Sequence, residues 1–345
     1  MWGGNDSLGK SGFSVSVSTL RRSILSRVSR SFYLSIRLLP KNLRDPVSLG
    51  YLLARASDTI ADTAEVPIEL RIEDLRLLAR GIQGEPLRDA IVDLSASLAP
   101  LQKDVAERAL IESIQPCLDW LDQSDVSDRE EVRAVLKQIN RGQILDLDRF
   151  QNPKQIVALE TAAELNEYTY LVAGSAGEFW TRLCFRRLPK FTTQSETKML
   201  DLGKRYGMSL QLINILRDAG ADLRTGRCYF PNEQLAALAM EPTQILRESE
   251  RFQPIYREWR ENAERGINAG LQYANAIQNR RVRIATVLPA LIGARTLALL
   301  RDAGATALHR HIKVPRKEVR TTMTSLISGF GARARSRALY RDLSR

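Results

Sequence analysis

Apolar residues recur at three- and four-residue steps along most of the chain, the period of a helix that buries one face. The segments LGYLLARASDTIADT (49–63), VRAVLKQINRGQILDLDRF (132–150), LETAAELNEYTYLVAG (159–174), TKMLDLGKRYGMSLQLINILRDAGADL (197–223) and IATVLPALIGARTLALLRDAG (284–304) all carry it. Alternation of the β type is scarce, and its best instance, VSVS at 15–18, is short. The helical pattern breaks where Pro falls, at Pro40, Pro67, Pro86, Pro100, Pro153, Pro189, Pro231 and Pro242. Residues 206–216 are apolar around most of the helical circumference, which predicts a buried central helix. No long polar linker divides the chain and no repeat of fixed period runs through it. The pattern predicts one all-α domain.

Composition narrows this picture. The chain has 345 residues, 44% hydrophobic and 26% charged, which excludes a largely disordered protein. Three widely spaced cysteines, Cys117, Cys184 and Cys228, exclude a disulfide framework and a CxxC metal knuckle. The only histidines, His309 and His311, exclude most His-based metal sites and argue against Ser-His-Asp chemistry. A reducing, cytosolic setting follows. The longest run without a charge, residues 266–279, is 14 residues, too short to span a membrane. The Gly/Ser-rich N-terminus lacks the basic and apolar regions of a signal peptide, so residues 1–20 read as a flexible lead-in. Charge is unevenly placed: residues 280–345 hold 15 Lys and Arg against 3 Asp and Glu, while the rest of the chain is near neutral. That asymmetry points to nucleic acid, an anionic membrane or a phosphorylated ligand, or else to a solvated basic face.

Two constellations carry chemistry. Tyr51, Arg55, Asp58 and Asp62 fall within about 60° of one another on one helix. Two carboxylates one turn apart inside an apolar helix repel each other and lose hydration unless a cation intervenes. A divalent metal meets that need, and Mg²⁺ suits a few carboxylates completed by phosphate oxygens. Taken alone, the pair also fits an exposed DxxxD near a helix end. A second stripe, Gln211, Asn214, Asp218 and Asp222, repeats the arrangement on another apolar helix. Facing each other across a bundle, the two pairs would hold divalent metals around a diphosphate, with Arg55, Arg217 and Arg227 adding charge.

With these residues in place the chain resembles the squalene/phytoene synthase family. The resemblance rests on Ser29-Arg30-Ser31-Phe32-Tyr33, on Tyr51 through Asp62, on Tyr168 through Gly174, and on Gln211 through Asp222 followed by Gly226-Arg227-Cys228-Tyr229-Phe230-Pro231. These blocks cover roughly residues 25–300 in the family's order. The resemblance implies an all-α isoprenoid synthase bundle around a central cavity, with a catalytic domain at 21–305 and a basic C-terminal segment at 306–345. It implies Mg²⁺ (or Mn²⁺) at Asp58, Asp62, Asp218 and Asp222. It places Arg55, Arg217 and Arg227 on diphosphate, together with Ser29, Arg30, Ser31 and Phe32, and it sets Tyr51, Tyr168, Gln211, Asn214 and Tyr229 around the cavity. Tyr51, Tyr168, Arg55 and Arg217 are the catalytic candidates. Phe32, Tyr51, Tyr168 and Phe179 offer aromatic faces to a carbocation; core packing is the plainer role of each.

Within the family, the flap Gly226 through Glu233 and the basic stretch Ile312 through Met323 are similar to those of squalene synthases. The resemblance then implies head-to-head joining of two farnesyl diphosphates through presqualene diphosphate and NADPH-dependent conversion to squalene. Asn214, Lys313 and Arg316 are the expected NADPH contacts. A reductant-free phytoene or dehydrosqualene synthase stays open, as does one that stops at presqualene diphosphate. A cytoplasmic monomer resting peripherally on the inner face of an anionic membrane is expected, without nucleic acid. Two other classes compete. A helical module docking on RNA or lipid would explain the basic tail but leave both acidic stripes idle. A head-to-tail prenyltransferase or terpene cyclase would more typically carry DDxxD motifs than DxxxD.

Overall fold

A computed structural model of the chain describes residues 16–345 apart from Arg30 and Phe330. The side chains of Ser31, Phe32 and Leu34 also lie outside the described residues. Helices build the molecule, among them α1 (Lys41–Asp62), α2 (Ile68–Gln83), α3 (Val126–Arg149), α4 (Ser175–Arg187), α5 (Glu196–Arg224), α6 (Ser249–Ala276), α7 (Arg280–Ala303), α8 (Arg316–Ser328) and α9 (Arg333–Leu343). Every segment with the helical period is helical over most of its length, although residues 159–161 at the head of 159–174 are not. Chain order follows local signals: α3 starts where Asp125 caps Ser127 and Asp128, and α5 where Ser195 caps Lys198.

Helix α5 is the hub. It packs on α4, α6 and α7, and it is apolar around most of its girth, as residues 206–216 predict. Buried Leu212, Ile213, Ile215 and Leu216 face more than one neighbour. Close crossing is made possible by missing side chains: a Cβ on Gly177 would stand 2.0 Å from the Gly203 carbonyl oxygen, and one on Gly207 2.2 Å from that of Ala173. Two main cores result. One gathers α1 to α4 with the N-terminal segment, and the other gathers α5, α6, α7 and a short sheet. Burying each large aliphatic side chain in them is worth about 1.5–3 kcal/mol.

Three features depart from the sequence reading. The chain is already helical at Val17, inside the expected lead-in, and Leu20 is fully buried. Two strands, β1 (Val157–Leu159) and β2 (Arg227–Pro231), pair in parallel. Their pattern is too short for periodicity to register, and Gly226 at φ 84 supplies the reversal that leads from α5 into β2. Finally, Arg280–Leu308 is long and apolar enough to cross a membrane, which the count of charge-free runs missed because Arg295 interrupts it. Its apolar window is 78% buried inside the bundle, the mark of a core helix.

Candidate active site

The first acidic stripe lines a polar cavity of about 350 Å³. Tyr51, Arg55 and Asp58 of α1 share it with Arg27, Val28, Asp104 and Glu107. Tyr51 and Ala54 also wall a second, apolar cavity of about 380 Å³. This second space runs between α1, α3, α4, α5 and α7, past Val135, Phe179, Trp180, Tyr206 and Tyr273. A polar mouth therefore adjoins an apolar pocket.

Asp58 has 46% of its side chain accessible, yet that surface faces a concavity crowded with protein atoms, so its charge is poorly hydrated. Its carboxyl is pushed up to about 6, first by lost hydration and then by Asp62. Arg55, 3.8 Å away, and the Gln143 amide, which donates to Oδ1, offset this only in part. Arg55 is itself bound to Glu107. Asp62 lies at the exposed rim and is raised by lost hydration.

The second stripe behaves alike. Arg217 grips Asp218, its Nε donating to Oδ1 at 2.9 Å. One turn on, Asp222 is raised to about 7 by burial and then by Asp218. Gln211 and Asn214 touch each other on the outer part of the stripe, at 3.4 Å.

Arg227, on β2, acts on both stripes. Its Nη1 donates to Asp146 Oδ2 at 2.9 Å, and the Tyr229 hydroxyl donates to Asp146 Oδ1 at 2.7 Å. The charge of Arg227 lowers the pKa of Asp62, Asp222 and Asp146 alike, so residues of both stripes lie within its field. Tyr229 stacks on Tyr168 with ring centroids 5.2 Å apart. Tyr168 sits just before a π-helical turn, Tyr170–Gly174, that interrupts an otherwise continuous helix; such turns are common at functional sites.

These residues fit a divalent metal. Asp58, Asp62 and Asp222 stay raised despite the arginines near them, and the donors of both pairs are hard oxygens. Among the described residues, no three Asp, Glu, His or Cys side chains converge closely enough to hold an ion by themselves. Phosphate oxygens would complete the shell.

The structure brings together Tyr51, Arg55 and Asp58, and likewise Arg227, Tyr229 and Tyr168, and Asp62 and Asp222 both lie within the field of Arg227. Phe179 lines the apolar cavity. Ser29 is buried and its hydroxyl donates to the Leu25 carbonyl, while its neighbours Arg27 and Val28 line the polar cavity instead. Arg30 and the side chains of Ser31 and Phe32 lie outside the described residues. Lys313 and Arg316 are exposed and are not gathered to the carboxylates. The chain leading to them passes over Gly220, whose Cβ would stand 1.8 Å from the Leu308 carbonyl oxygen. Gly220 lies about 180° round α5 from the acidic stripe. Phe230, the residue that favours a squalene-type flap, points into the core against Phe252 at 4.8 Å. Sequence reasoning missed Gln143 and Asp146. Their signal was present: Asn140, Gln143 and Asp146 are polar residues at steps of three, between the apolar positions Leu136, Ile139, Ile144 and Leu147.

Comparison with known proteins agrees with this architecture. A solved structure of TcSQS in complex with a ligand superposes with a TM-score of 0.71, covering 95% of this chain and 97% of that one at 20% identity, and so shares the all-α fold. The family model described as squalene/phytoene synthase matches residues 25–318, and the chain belongs to that family. Its relatives include a squalene synthase of Saccharomyces cerevisiae, 30% identical over 213 residues, 61% of this chain and 44% of that protein. A bifunctional lycopene cyclase/phytoene synthase of Phaeosphaeria nodorum is 28% identical over 223 residues, 64% of this chain and 35% of that protein. The chain thus aligns with less than half the length of these two relatives.

Proposed function

We propose that the chain joins two molecules of farnesyl diphosphate head to head to give presqualene diphosphate, and converts this to squalene with NADPH as reductant. The observation that carries the reading is that Arg227 acts on an acid of each DxxxD stripe, Asp62 and Asp222, while Asp58 of the first stripe lines a polar cavity that adjoins an apolar one. In this reading Asp58, Asp62, Asp218 and Asp222 hold Mg²⁺ or Mn²⁺, which supplies neutralising charge for a departing diphosphate. Arg55, Arg217 and Arg227 bind diphosphate oxygens, with Gln211 and Asn214 at the outer edge. Ser29, Arg30, Ser31 and Phe32 belong to the substrate loop by resemblance alone. Tyr51 stands at the junction of the polar and apolar spaces and orients the reacting end. Tyr168 and Tyr229 present stacked rings beside buried Asp146, a setting that favours positive charge on the substrate. The apolar walls keep water from an allylic cation until the second prenyl double bond attacks it.

Lys313 and Arg316 are exposed, and among the described residues no hydrogen bond or ion pair ties them to the acidic stripes. That observation favours a second reading in which the same condensation ends without reductant, in dehydrosqualene or, from geranylgeranyl diphosphate, in phytoene. The test is hydrocarbon analysis after incubation with Mg²⁺ and either prenyl diphosphate, with and without NADPH. Squalene formed only with NADPH supports the first reading. A product unchanged by NADPH, or faster use of geranylgeranyl diphosphate, replaces it with the second.

A further inference from the structure

Arginines at the start of a helix oppose its dipole, and arginines close together repel. Both conditions occur where α7 and α9 begin. Helix α7 opens Arg280-Arg281-Val282-Arg283 and α9 opens Arg333-Ala334-Arg335, neither with an acidic residue in its first turn. The two ends are adjacent: a Cβ on Gly331 would stand 2.8 Å from Ile284 and 3.3 Å from the Arg280 carbonyl oxygen. Arg333 lies across the end of α6, its Nε donating to the Asn275 carbonyl at 2.5 Å.

Arg283 is the unusual member. It is only 5% accessible, its buried Nε has no hydrogen-bond partner, and its Nη2 has only the Gln278 carbonyl at 3.5 Å. Its pKa is lowered by burial and then by Arg333 and Arg280, with no carboxylate working the other way. A buried cation without a counter-charge is costly and invites an anion. Helix α9 adds donors of its own, since Ala332 provides no side-chain cap and leaves the first N–H groups of the helix open. The cluster is not the acidic site. Arg333 binds the Asn275 carbonyl, two residues past Tyr273 on α6; Tyr273 packs near Gly203, and along α5 Gly203 precedes Asp218 by about 22 Å.

We propose that the junction of α7 and α9 binds a phosphate-type oxyanion through Arg280, Arg283, Arg333 and the open N–H groups of α9. Guanidinium forks match the spacing of phosphate oxygens. The same group is offered by free phosphate compounds and by lipid headgroups. The proposal does not rest on the reaction proposed above.

The test titrates the full chain, with chelator present to silence metal-dependent diphosphate binding. One arm uses inorganic phosphate, and the other uses vesicles of phosphatidylglycerol in phosphatidylcholine. Arg283→Met and Arg333→Ser should each weaken binding by about tenfold or more in at least one arm, since a hydrogen bond to a charged group is worth that much. Arg341→Ser, farther along α9, should change it far less, and Arg333→Ser should leave farnesyl diphosphate turnover intact. Loss in the phosphate arm identifies a soluble ligand; loss with vesicles alone identifies a lipid headgroup. Arg333→Ser carries the test if Arg283→Met does not fold. The proposal is overturned if the wild-type chain binds neither probe, if Arg333→Ser binds both like the wild type, or if Arg341→Ser weakens binding equally.

Discussion

Asp222→Asn should make the metal-free protein more stable while abolishing its activity. The carboxyl of Asp222 is lifted from its ordinary 3.8 to about 7, by burial first and Asp218 second. At pH 8 it is charged in both the folded and unfolded chain, and the folded state bears the unfavourable energy. A lift of that size corresponds to roughly 4 kcal/mol, and solvent screening at an open site reduces it to about 1–2 kcal/mol. Asn keeps the shape and removes the charge. For a chain of this size the apo melting temperature should rise by about 2–4 °C. The effect depends on pH in a defined direction. A carboxyl with a raised folded pKa favours folding while it is protonated, and that advantage is lost as pH climbs from about 4 to about 7. Wild-type and variant melting temperatures should therefore coincide near pH 4–5 and diverge by pH 8. Scanning fluorimetry across that range, with chelator present, measures it. A variant that melts lower than wild type at pH 8, or a difference that does not change with pH, would refute the reasoning that these acids are held apart from their preferred environment.

Three further outcomes follow from other contacts. Asp146→Asn should instead lower the apo melting temperature: burial raises this carboxyl too, but its removal leaves the half-buried Arg227 guanidinium without its ion-pair partner and weakens the Tyr229 bond, at a cost of about 2–3 kcal/mol; combined with Tyr229→Phe, the loss should be less than additive in a double-mutant cycle. Gln143→Leu should weaken Mg²⁺ binding, read by calorimetry with inorganic pyrophosphate, by about 10–100-fold, because its amide orients Asp58; unchanged affinity would remove Gln143 from the site. Gly177→Val should cost several kcal/mol or prevent folding, since the Cβ position is already 2.0 Å from the Gly203 oxygen, and circular dichroism melts would show it.

The parts of the molecule legible in sequence were those with long periods. Segments such as 197–223 and 284–304 repeat their apolar residues often enough to declare both helix and buried face. Asp58, Asp62, Asp218 and Asp222 stood out because each pair falls one turn apart on a single stripe, with Leu and Ile on the others. What escaped was set by tertiary contact. Asp146 looks like one more acid in QILDLDRF until the fold brings Arg227 and Tyr229 to it from a strand about 80 residues on. β2 is too short for any period, and its alternation sends Tyr229 to the site and Phe230 into the core, so Phe230 speaks for packing rather than for product. Ser29 suited a diphosphate loop by type, but its hydroxyl is spent on its own helix. Lys313 and Arg316 carried the right charge, while their place relative to α5 depended on the path taken across Gly220.

The central claim is that the two acidic stripes close on one diphosphate. Its most direct test is the binding of Mn²⁺, followed by electron paramagnetic resonance with and without inorganic pyrophosphate, in the wild type, Asp58→Asn and Asp218→Asn. Pyrophosphate should strengthen Mn²⁺ binding in the wild type, because phosphate oxygens complete the shell that neither carboxylate pair fills. Each substitution, one from each stripe, should remove most of that same enhancement. If pyrophosphate changes nothing in the wild type, or if only one stripe affects the enhancement while the other leaves it whole, the two stripes do not form a single site and the account is contradicted.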